Sequence, residues 1–363
     1  MDNDLEHDQS SPVDILKQKT YRYAYCQAPL PAPVTPPHPK ATLRHVTIIA
    51  RHGDRTPSLE ASHIVYENNI KTPITFNCDY TLTKGRKTPC TQTMQLTRRG
   101  FKQHVLLGKA FREQYKDVMF SDSDTIPPEQ VYARSTRTSR TMLSLDGFER
   151  GLFQIPLNRS THVPVKNSII EKQQHEPMVG IHTTKADKLA EKVMASAAFQ
   201  QYVQDKRITL PARQKLAHLL KQKFNIDPKQ FDNHVLVAMM ADVPRTVACH
   251  PPKEDIEDME LKTKEEEKML DALNLAEASL QSFHQSVYYG HEASLDWVKE
   301  EYGTLFGEIR DAMVNASRGL TKERMRILLG HDDTLAALLG GLGAQHFGIP
   351  YVSSRPNHMI MSI

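Results

Sequence analysis

The stretch LRHVTIIARHGDRTP, residues 43–57, decides the fold class of this chain. Its first half is a short run rich in β-branched residues, which predicts a buried strand. Gly53 and Pro57 break that strand. Three charged side chains and a histidine lie at this break, an arrangement that is costly unless these groups serve a site. The stretch therefore predicts a buried strand with a polar cluster at its carboxyl end.

Two later stretches repeat this pattern of a short apolar run followed by polar residues. QVYARS (130–135) predicts a second strand, before a helix over about 138–150. RMRILLG (324–330) predicts a third strand, and HDDTLAALLGGLG (331–343) has the polar start and terminal glycines of a helix. Strands that alternate with helices are typical of a parallel sheet. The predicted fold class is α/β: a three-layer α/β/α core with a mainly parallel sheet and an inserted, mostly helical cap domain.

The pattern along the chain predicts three parts. Residues 1–40 include the proline-rich segment APLPAPVTPPHP (28–39), which predicts an extended tail and linker. Residues 41–150 and 291–363 are predicted to form the split α/β core. Residues 151–290 are predicted to form the helical cap insertion. Its helices are expected over residues 184–203, 210–224 and 265–283.

Composition narrows the classes of function. The chain has 363 residues, of which 39% are hydrophobic and 25% charged, an ordinary balance for a globular protein. Its net charge of +3 is too weak to indicate a nucleic-acid partner. No run of about 18 consecutive apolar residues is present, so no membrane span is predicted. Basic residues that bind a ligand must therefore be identified by their position in the sequence rather than by the total charge.

The three polar clusters share one predicted location, the carboxyl ends of the strands, where open α/β sheets form their sites. Arginine offers forked, permanently charged donors that suit a phosphate dianion. A neutral imidazole can attack phosphorus, and a carboxylic acid can protonate an alkoxide leaving group. The candidate phosphate ligands are Arg51, Arg55, Arg134 and His331, with His52 as nucleophile and Asp332 as acid. We expect no metal or cofactor, because the arginines supply the positive charge that a cation would give.

Each of the two later clusters, taken alone, also has a purely structural interpretation. A His-Asp pair after a strand is more often structural than functional, and a lone arginine such as Arg134 is more often a surface or capping residue. The RHGDRTP cluster differs from these two, because its charges directly after a buried strand are costly unless they serve a site.

Four stretches resemble the histidine acid phosphatase family. HVTIIARHGDRTP (45–57) is similar to its signature, Arg-His-Gly-x-Arg-x-Pro. VYARST (131–136), with Arg140 following, resembles the family's phosphate-binding arginine segment, and GHD (330–332) resembles its distal His-Asp motif. QLTRRGFKQH (95–104) resembles a family segment that begins a helix. The resemblance runs in the same order over about 41–363.

This resemblance implies a metal-independent acid phosphatase, a phosphoric monoester hydrolase acting on small-molecule or glycan phosphate monoesters. His52 would form a phosphohistidine while Asp332 protonates the departing alcohol, and water would then release phosphate. The four candidate ligands would hold the phosphoryl oxygens, and the helical cap would set leaving-group specificity.

The sequence departs from the family pattern at Asp333, where a hydroxyl residue is common. A second carboxylate beside Asp332 is expected to raise one pKa of the pair by like-charge repulsion. The His-Asp motif favours a general acid phosphatase, or a relative of the 2-phosphoxylose phosphatases, over a phytase. A narrow-specificity enzyme of either type, a catalytically impaired phosphate-binding scaffold, and a mutase-type phosphotransfer enzyme are the alternatives. RHGDRTP and the large insertion argue against the mutase type.

Four properties stay open at this point. Cys26, Cys78, Cys90 and Cys249 allow three disulfide pairings, and the Cys78–Cys90 spacing would close a short loop in an oxidising compartment, with free thiols as the alternative. The family is usually secreted or lysosomal, yet MDNDLEHDQSSP (1–12) lacks a signal-peptide pattern, so a cytoplasmic location is the alternative. Relatives usually continue beyond Ile363, so the sequence leaves open whether the chain is truncated at its C-terminus. The oligomeric state is undetermined, with a homodimer as one option.

Overall fold

The computed structural model describes residues 42–58, 76–121, 125–157, 166–167, 176–224, 226–230, 237–250, 264–343 and 360–362. The tail and linker predicted for residues 1–40 lie outside this part of the chain.

A mainly parallel sheet forms the centre of the described structure. Its strands are β1 (Val46–Arg51), β2 (Val131–Ser135), β3 (Lys166–Asn167), β4 (Met325–Gly330) and β5 (Ile360–Ser362). Their order is β3-β2-β4-β1-β5, and all pairs are parallel except β1 with β5. The strands predicted from the three apolar runs are β1, β2 and β4. They lie next to one another in the sheet, with β4 between β2 and β1.

The register of the sheet brings the three predicted polar clusters to one edge. Arg51 pairs with Gly330, and Ser135 pairs with Leu329. The main-chain N–H of His52 donates to the Gly330 carbonyl at 3.1 Å, just beyond the last strand pair. The loops that follow β1, β2 and β4 therefore start side by side.

Helices cover both faces of the sheet. On one face lie α1 (Arg98–Met119) and α2 (Ser139–Leu152), whose aromatic side chains pack with alternate residues of β1 and β4. On the other face, Ile49 and Leu328 pack with helices from the C-terminal half of the chain. Successive strand residues point to opposite faces, so a strand buried on both sides needs an apolar layer above and below it. The predicted three-layer α/β class is confirmed.

The remaining helices come from the cap region and the segment after it. They are α3 (Thr184–Met194), α4 (Ala197–Val203), α5 (Thr209–Lys223), α6 (Val237–Ala248), α7 (Lys264–Tyr288), α8 (Glu292–Ser317) and α9 (Asp332–Gly341). α5, α6 and the N-terminal half of α7 share a hydrophobic cluster of their own. α3, α4, α8, α9 and the end of α7 pack against the sheet face instead. The domain boundaries at 150 and 290 stay a prediction.

One predicted helix is two helices. The pattern over 184–203 predicts a continuous helix, but α3 ends at Met194 and α4 begins at Ala197. Ser196 lies between them, and its Oγ accepts the Phe199 N–H at 3.3 Å. A serine that caps the next helix in this way competes with continuation of the first.

A disulfide joins Cys78 to Cys90, with 5.0 Å between their Cα atoms. Cys249 is also disulfide-bonded. The alternative of free thiols is therefore wrong for these three cysteines, and Cys26 lies outside the described residues. Among the helices that the structure describes, none has the length and apolarity needed to cross a bilayer.

Candidate active site

The loop after β1 packs so closely against the start of α1 that position 53 has no room for a side chain. A Cβ at Gly53 would lie 2.4 Å from the Gly100 carbonyl oxygen, a backbone atom that has no freedom to move aside. The Gly53 N–H donates to Ser144 Oγ on α2 at 3.0 Å. Glycine at position 53 thus lets the loop pass between two helices, and this contact fixes where His52 stands.

Asp54 ties the same loop to α1. Its main-chain N–H donates to Gln103 Oε1 at 3.0 Å, and its carbonyl accepts the Thr97 N–H at 3.0 Å. Its carboxylate accepts bonds from Thr97 Oγ1 and, at 2.7 Å, from His250 Nε2. Burial raises the pKa of Asp54, but the charge and hydrogen bond of His250 outweigh it, so the pKa lies below its usual value. The QLTRRGFKQH stretch therefore holds the loop in place.

His52 is buried with one ring nitrogen already committed. Its Nδ1 lies 2.8 Å from the Gly53 carbonyl oxygen. A carbonyl only accepts hydrogen bonds, so Nδ1 carries the proton and Nε2 keeps a free lone pair. Burial, and then the charges of Arg51, Arg55, Arg140 and His331, hold the pKa of His52 well below its ordinary value. The ring is therefore a neutral imidazole in strongly positive surroundings.

His331 stands opposite His52, with ring centroids 5.7 Å apart and the rings edge to face. Arg140 Nη2 lies 3.4 Å from His331 Nδ1 and donates to it, so the proton of His331 is on Nε2, which lies 2.9 Å from Thr136 Oγ1. Burial and then the charge of Arg140 lower the pKa of His331 to about 4. His331 is thus neutral and oriented by both of its partners.

Asp332 and Asp333 begin α9 beside this histidine. Arg51 Nε lies 3.6 Å from Asp332 Oδ2. Burial raises the pKa of Asp332, but the charges of Arg51, His284 and His331 outweigh it and hold the pKa far below its usual range. The positive end of the α9 dipole acts in the same direction. Burial and the charge of Asp332 raise the pKa of Asp333, as the sequence predicts for one member of such a pair.

Arg55 is held by a residue of the cap region. Its Nη2 lies 3.0 Å from Asp242 Oδ1 on α6. The other oxygen of that carboxylate accepts the Ser58 N–H at 2.7 Å and the Ser58 hydroxyl at 2.9 Å. A charge-assisted contact of this kind restricts the guanidinium to one side of the loop.

These side chains line one cavity of about 310 Å³, whose walls include Arg51, His52, Arg55, Arg140, His331 and Asp332. Five of the six site residues predicted from the sequence are therefore brought together. In the part of the chain that the structure describes, no group of three side chains suits a metal ion.

Arg134 is the predicted site residue that the structure does not place in this cavity. Its Nη2 lies 2.7 Å from Glu308 Oε2 on α8, and its Nε lies 3.8 Å from Glu176 Oε1. The side chain is buried in this ion pair. Besides Arg51 and Arg55, the cavity is lined by Arg137 and by Arg140, which is the second residue of α2, where a helix N-terminus also favours anions. That position, in the first turn of the helix after a site-forming strand, is the signal that could have singled out Arg140.

Comparison with known proteins gives a family and a fold. A family model described as the histidine phosphatase superfamily, branch 2, matches residues 42–361. Lysosomal acid phosphatase of Rattus norvegicus is 32% identical over 120 residues, which cover 33% of this chain and 23% of that protein. Counting factor 60 of Dictyostelium discoideum is 31% identical over 160 residues, or 38% of each chain. The matched regions thus span well under half of these relatives.

Two solved structures share the fold. Klebsiella sp. ASR1 phytase superposes with a TM-score of 0.53 at 15% identity, covering 85% of this chain and 73% of that one. The multiple inositol polyphosphate phosphatase of Bifidobacterium longum, in complex with inositol hexasulfate, gives a TM-score of 0.54 at 11% identity, covering 88% and 79%. At these identities the likeness shows the architecture alone.

Proposed function

The chain belongs to branch 2 of the histidine phosphatase superfamily, and we propose that it hydrolyses phosphate monoesters through a phosphohistidine formed on His52. One observation carries this proposal. The His52 ring is neutral, its Nδ1–H is fixed by the Gly53 carbonyl, and its free Nε2 lone pair belongs to a ring that lines a cavity with four arginines, Arg51, Arg55, Arg137 and Arg140. An uncharged nucleophile among cations suits attack on a dianion.

In the first half of the reaction, the phosphoryl oxygens are held by Arg51, Arg55 and Arg140, and by His331 once its Nε2–H turns from Thr136 to the bound anion. His52 Nε2 forms a bond to phosphorus, and the bond from phosphorus to the ester oxygen breaks. Asp332 gives its proton to that oxygen, so the alcohol leaves neutral. Arg140 replaces Arg134 in this assignment, because Arg134 is engaged with Glu308 and Glu176.

The proton on Asp332 depends on the bound substrate. Without an anion, the charge of Arg51 keeps the Asp332 carboxyl ionised. A phosphate dianion balances the arginine charges and raises the pKa of Asp332 toward protonation. Asp333, whose pKa is raised, holds a proton beside it in mildly acidic solution. We therefore expect higher activity under mildly acidic conditions.

In the second half, water attacks the phosphorus of the phosphohistidine. The Asp332 carboxylate takes a proton from this water, the nitrogen–phosphorus bond breaks, and phosphate leaves with His52 neutral again. The arginines supply the positive charge throughout, so the proposed reaction needs no metal ion. The substrate class is a small-molecule or glycan phosphate monoester.

The compartment follows from the cysteines. The Cys78–Cys90 disulfide favours an oxidising environment. It supports the secretory or lysosomal location over the cytoplasmic alternative.

Hydrolysis of p-nitrophenyl phosphate with EDTA present, from about pH 4 to pH 8, tests the proposal. We expect activity that survives EDTA and falls by about 10³-fold or more in His52→Ala. His182→Ala is the matched control, because the His182 side chain is 73% exposed and lies outside the cavity lining. Folded wild-type protein without activity would instead support the phosphate-binding scaffold, and activity retained in His52→Ala would show that another residue is the nucleophile.

A further inference from the structure

A second cavity opens directly beside the phosphate site. Its volume is about 440 Å³, within the range of small-molecule sites. Both cavities are lined by Arg51, Arg55, Met94, Asp332 and Asp333. The proposed proton donor thus stands in the wall between them. An ester whose phosphate occupies the first cavity, with its leaving oxygen at Asp332, places its alcohol part in the second.

Three helices of the cap region, α4, α6 and α7, supply the second cavity with apolar side chains. On α7, Leu280, Phe283 and His284 are spaced three and four residues apart, so they share one face of the helix. Tyr202 on α4 extends this face, with its ring centroid 5.6 Å from that of Phe283 in an edge-to-face arrangement. Facing side chains on α6 include Met239, which is 47% exposed.

Met94 stands where the two cavities meet. Its φ of 55° lies in the left-handed region, which a side chain other than glycine rarely adopts. The Met94 N–H donates to the Pro57 carbonyl at 3.0 Å, which ties this conformation to the end of the RHGDRTP loop. Unfavourable backbone of this kind concentrates at functional sites. The conformation brings the Met94 side chain into the wall that both cavities share with Asp332.

The charged groups of the second cavity are already matched with opposite charges. Arg55 pairs with Asp242 at 3.0 Å, and Arg245 Nη2 lies 3.6 Å from Glu277 Oε2. Asp54 is engaged by His250. Arg55 and Arg245 are therefore already engaged and offer little charge to the remaining phosphates of a polyanionic alcohol.

Resting on the phosphatase function proposed above, we propose that the leaving group of the natural substrate is an uncharged, largely apolar alcohol bound between α6 and α7. Leu280, Phe283, Tyr202, Met239 and Met94 contact its carbon skeleton. Inositol polyphosphates, the ligand class of the structural neighbour from Bifidobacterium longum, are poor substrates of this chain, because Arg55 and Arg245 are engaged by Asp242 and Glu277 rather than free for the remaining phosphates.

The test compares hexyl phosphate, glycerol 3-phosphate and inositol hexakisphosphate. The first two are esters of primary alcohols, so their difference reports contacts to the alcohol rather than leaving-group chemistry. We expect kcat/KM for hexyl phosphate to exceed that for glycerol 3-phosphate by about tenfold or more, since each buried methylene adds to transition-state binding. We expect inositol hexakisphosphate to be the slowest of the three.

Met239→Gln is expected to lower the ratio of hexyl to glycerol kcat/KM by about fivefold. Met194→Gln is the matched control, since Met194 is 45% exposed on α3 and lies outside the cavity lining. Its ratio should equal that of the wild type.

The outcomes separate the two proposals. Glycerol 3-phosphate or inositol hexakisphosphate turned over as fast as hexyl phosphate, or a ratio unmoved by Met239→Gln, would overturn the apolar leaving group and leave the phosphatase standing. No turnover of any ester, p-nitrophenyl phosphate included, would overturn the phosphatase function itself and this proposal with it.

Discussion

Replacing Arg140 and Arg134 separately by alanine distinguishes a phosphate ligand from a structural arginine. The two residues are six positions apart, Arg134 in β2 and Arg140 at the start of α2, yet their surroundings differ. Arg140 lines the cavity and donates to His331 at 3.4 Å. Arg134 is buried against Glu308 and Glu176. We therefore expect opposite consequences for activity and stability.

The magnitudes follow from what each guanidinium contacts. Removing one preorganised donor to a charged transition state typically costs about 10²- to 10³-fold in rate, so Arg140→Ala should lower kcat/KM by that factor. Its melting temperature should change little, because removing Arg140 also relieves repulsion among Arg51, Arg55 and Arg140. Burial and then this repulsion lower the pKa of Arg140 to about 10.

Arg134→Ala should instead destabilise the fold. It leaves the carboxylates of Glu176 and Glu308 without their shared cation, a loss on the order of 3 kcal/mol since Glu176 is buried. That corresponds to a drop in melting temperature of roughly 5 °C or more. Activity per folded molecule should stay within about tenfold of the wild type, because Arg134 does not line the cavity.

The assay pairs kcat/KM for p-nitrophenyl phosphate with thermal unfolding followed by circular dichroism. Inhibition by inorganic phosphate adds a direct measure of the phosphate site, and it should weaken in Arg140→Ala alone. Arg134→Ala that keeps the wild-type melting temperature but loses activity about 10²-fold would refute the assignment, as would Arg140→Ala with nearly unchanged kcat/KM.

Three further predictions concern the acid, the loop and a buried carboxyl outside the cavity lining. Asp332→Asn should slow alkyl phosphates by about 10²- to 10⁴-fold but p-nitrophenyl phosphate far less, because nitrophenolate leaves without a proton; equal losses in a leaving-group series would contradict the role. Gly53→Ala should lower stability by about 2 kcal/mol or more and reduce activity, since its Cβ meets the Gly100 carbonyl at 2.4 Å, and urea unfolding that matches the wild type would speak against this packing. Burial and the charge of Asp146 raise the pKa of Glu149 to about 8. Because this folded-state pKa lies above the unfolded one, its stability contribution is complete in acid and is lost as pH rises from about 4.5 through 8. Glu149→Gln should therefore raise the melting temperature at pH 8 more than at pH 5, and a pH-independent difference would exclude an ionisable Glu149 as the cause.

The sheet core was predictable from the sequence because its signals are local. β1, β2 and β4 are short apolar runs, each followed at once by polar residues, and the observed strands lie within one to three residues of the predicted bounds. Parallel pairing then brings their carboxyl ends to one edge. That geometry alone brings the three polar clusters of the predicted site together, without reference to any side-chain contact.

Some helices of the chain could not be predicted in the same way. α6 contains Pro244, a residue that normally argues against a helix interior, and its pattern is interrupted where Asp242 and Arg245 serve the site. The break between α3 and α4 depends on one capping bond of Ser196. At Ser196 a single local contact thus decides the outcome against the average pattern.

The choice between Arg134 and Arg140 as phosphate ligand depends on ion-pair partners that are distant in sequence. Glu308 lies 174 positions from Arg134 in the sequence, and the residues around the two arginines do not predict this contact. The contacts of Arg55 with Asp242 and of Asp54 with His250 likewise join residues more than 180 positions apart. Sequence patterns identify the residue types that a site needs. Long-range ion pairs decide which of two residues of the same type, here Arg134 or Arg140, lies in the site.

Direct detection of the phosphorylated residue tests the central claim most closely. Asp332→Ala should accumulate the intermediate from p-nitrophenyl phosphate, because its leaving group needs no proton while release of phosphate loses its base. Alkaline quenching followed by peptide mapping should then place one phosphoryl group on His52, and His52→Ala in the same background should show none. A phosphoryl group on another residue, or a burst of nitrophenol with no phosphorylated peptide, would contradict the account.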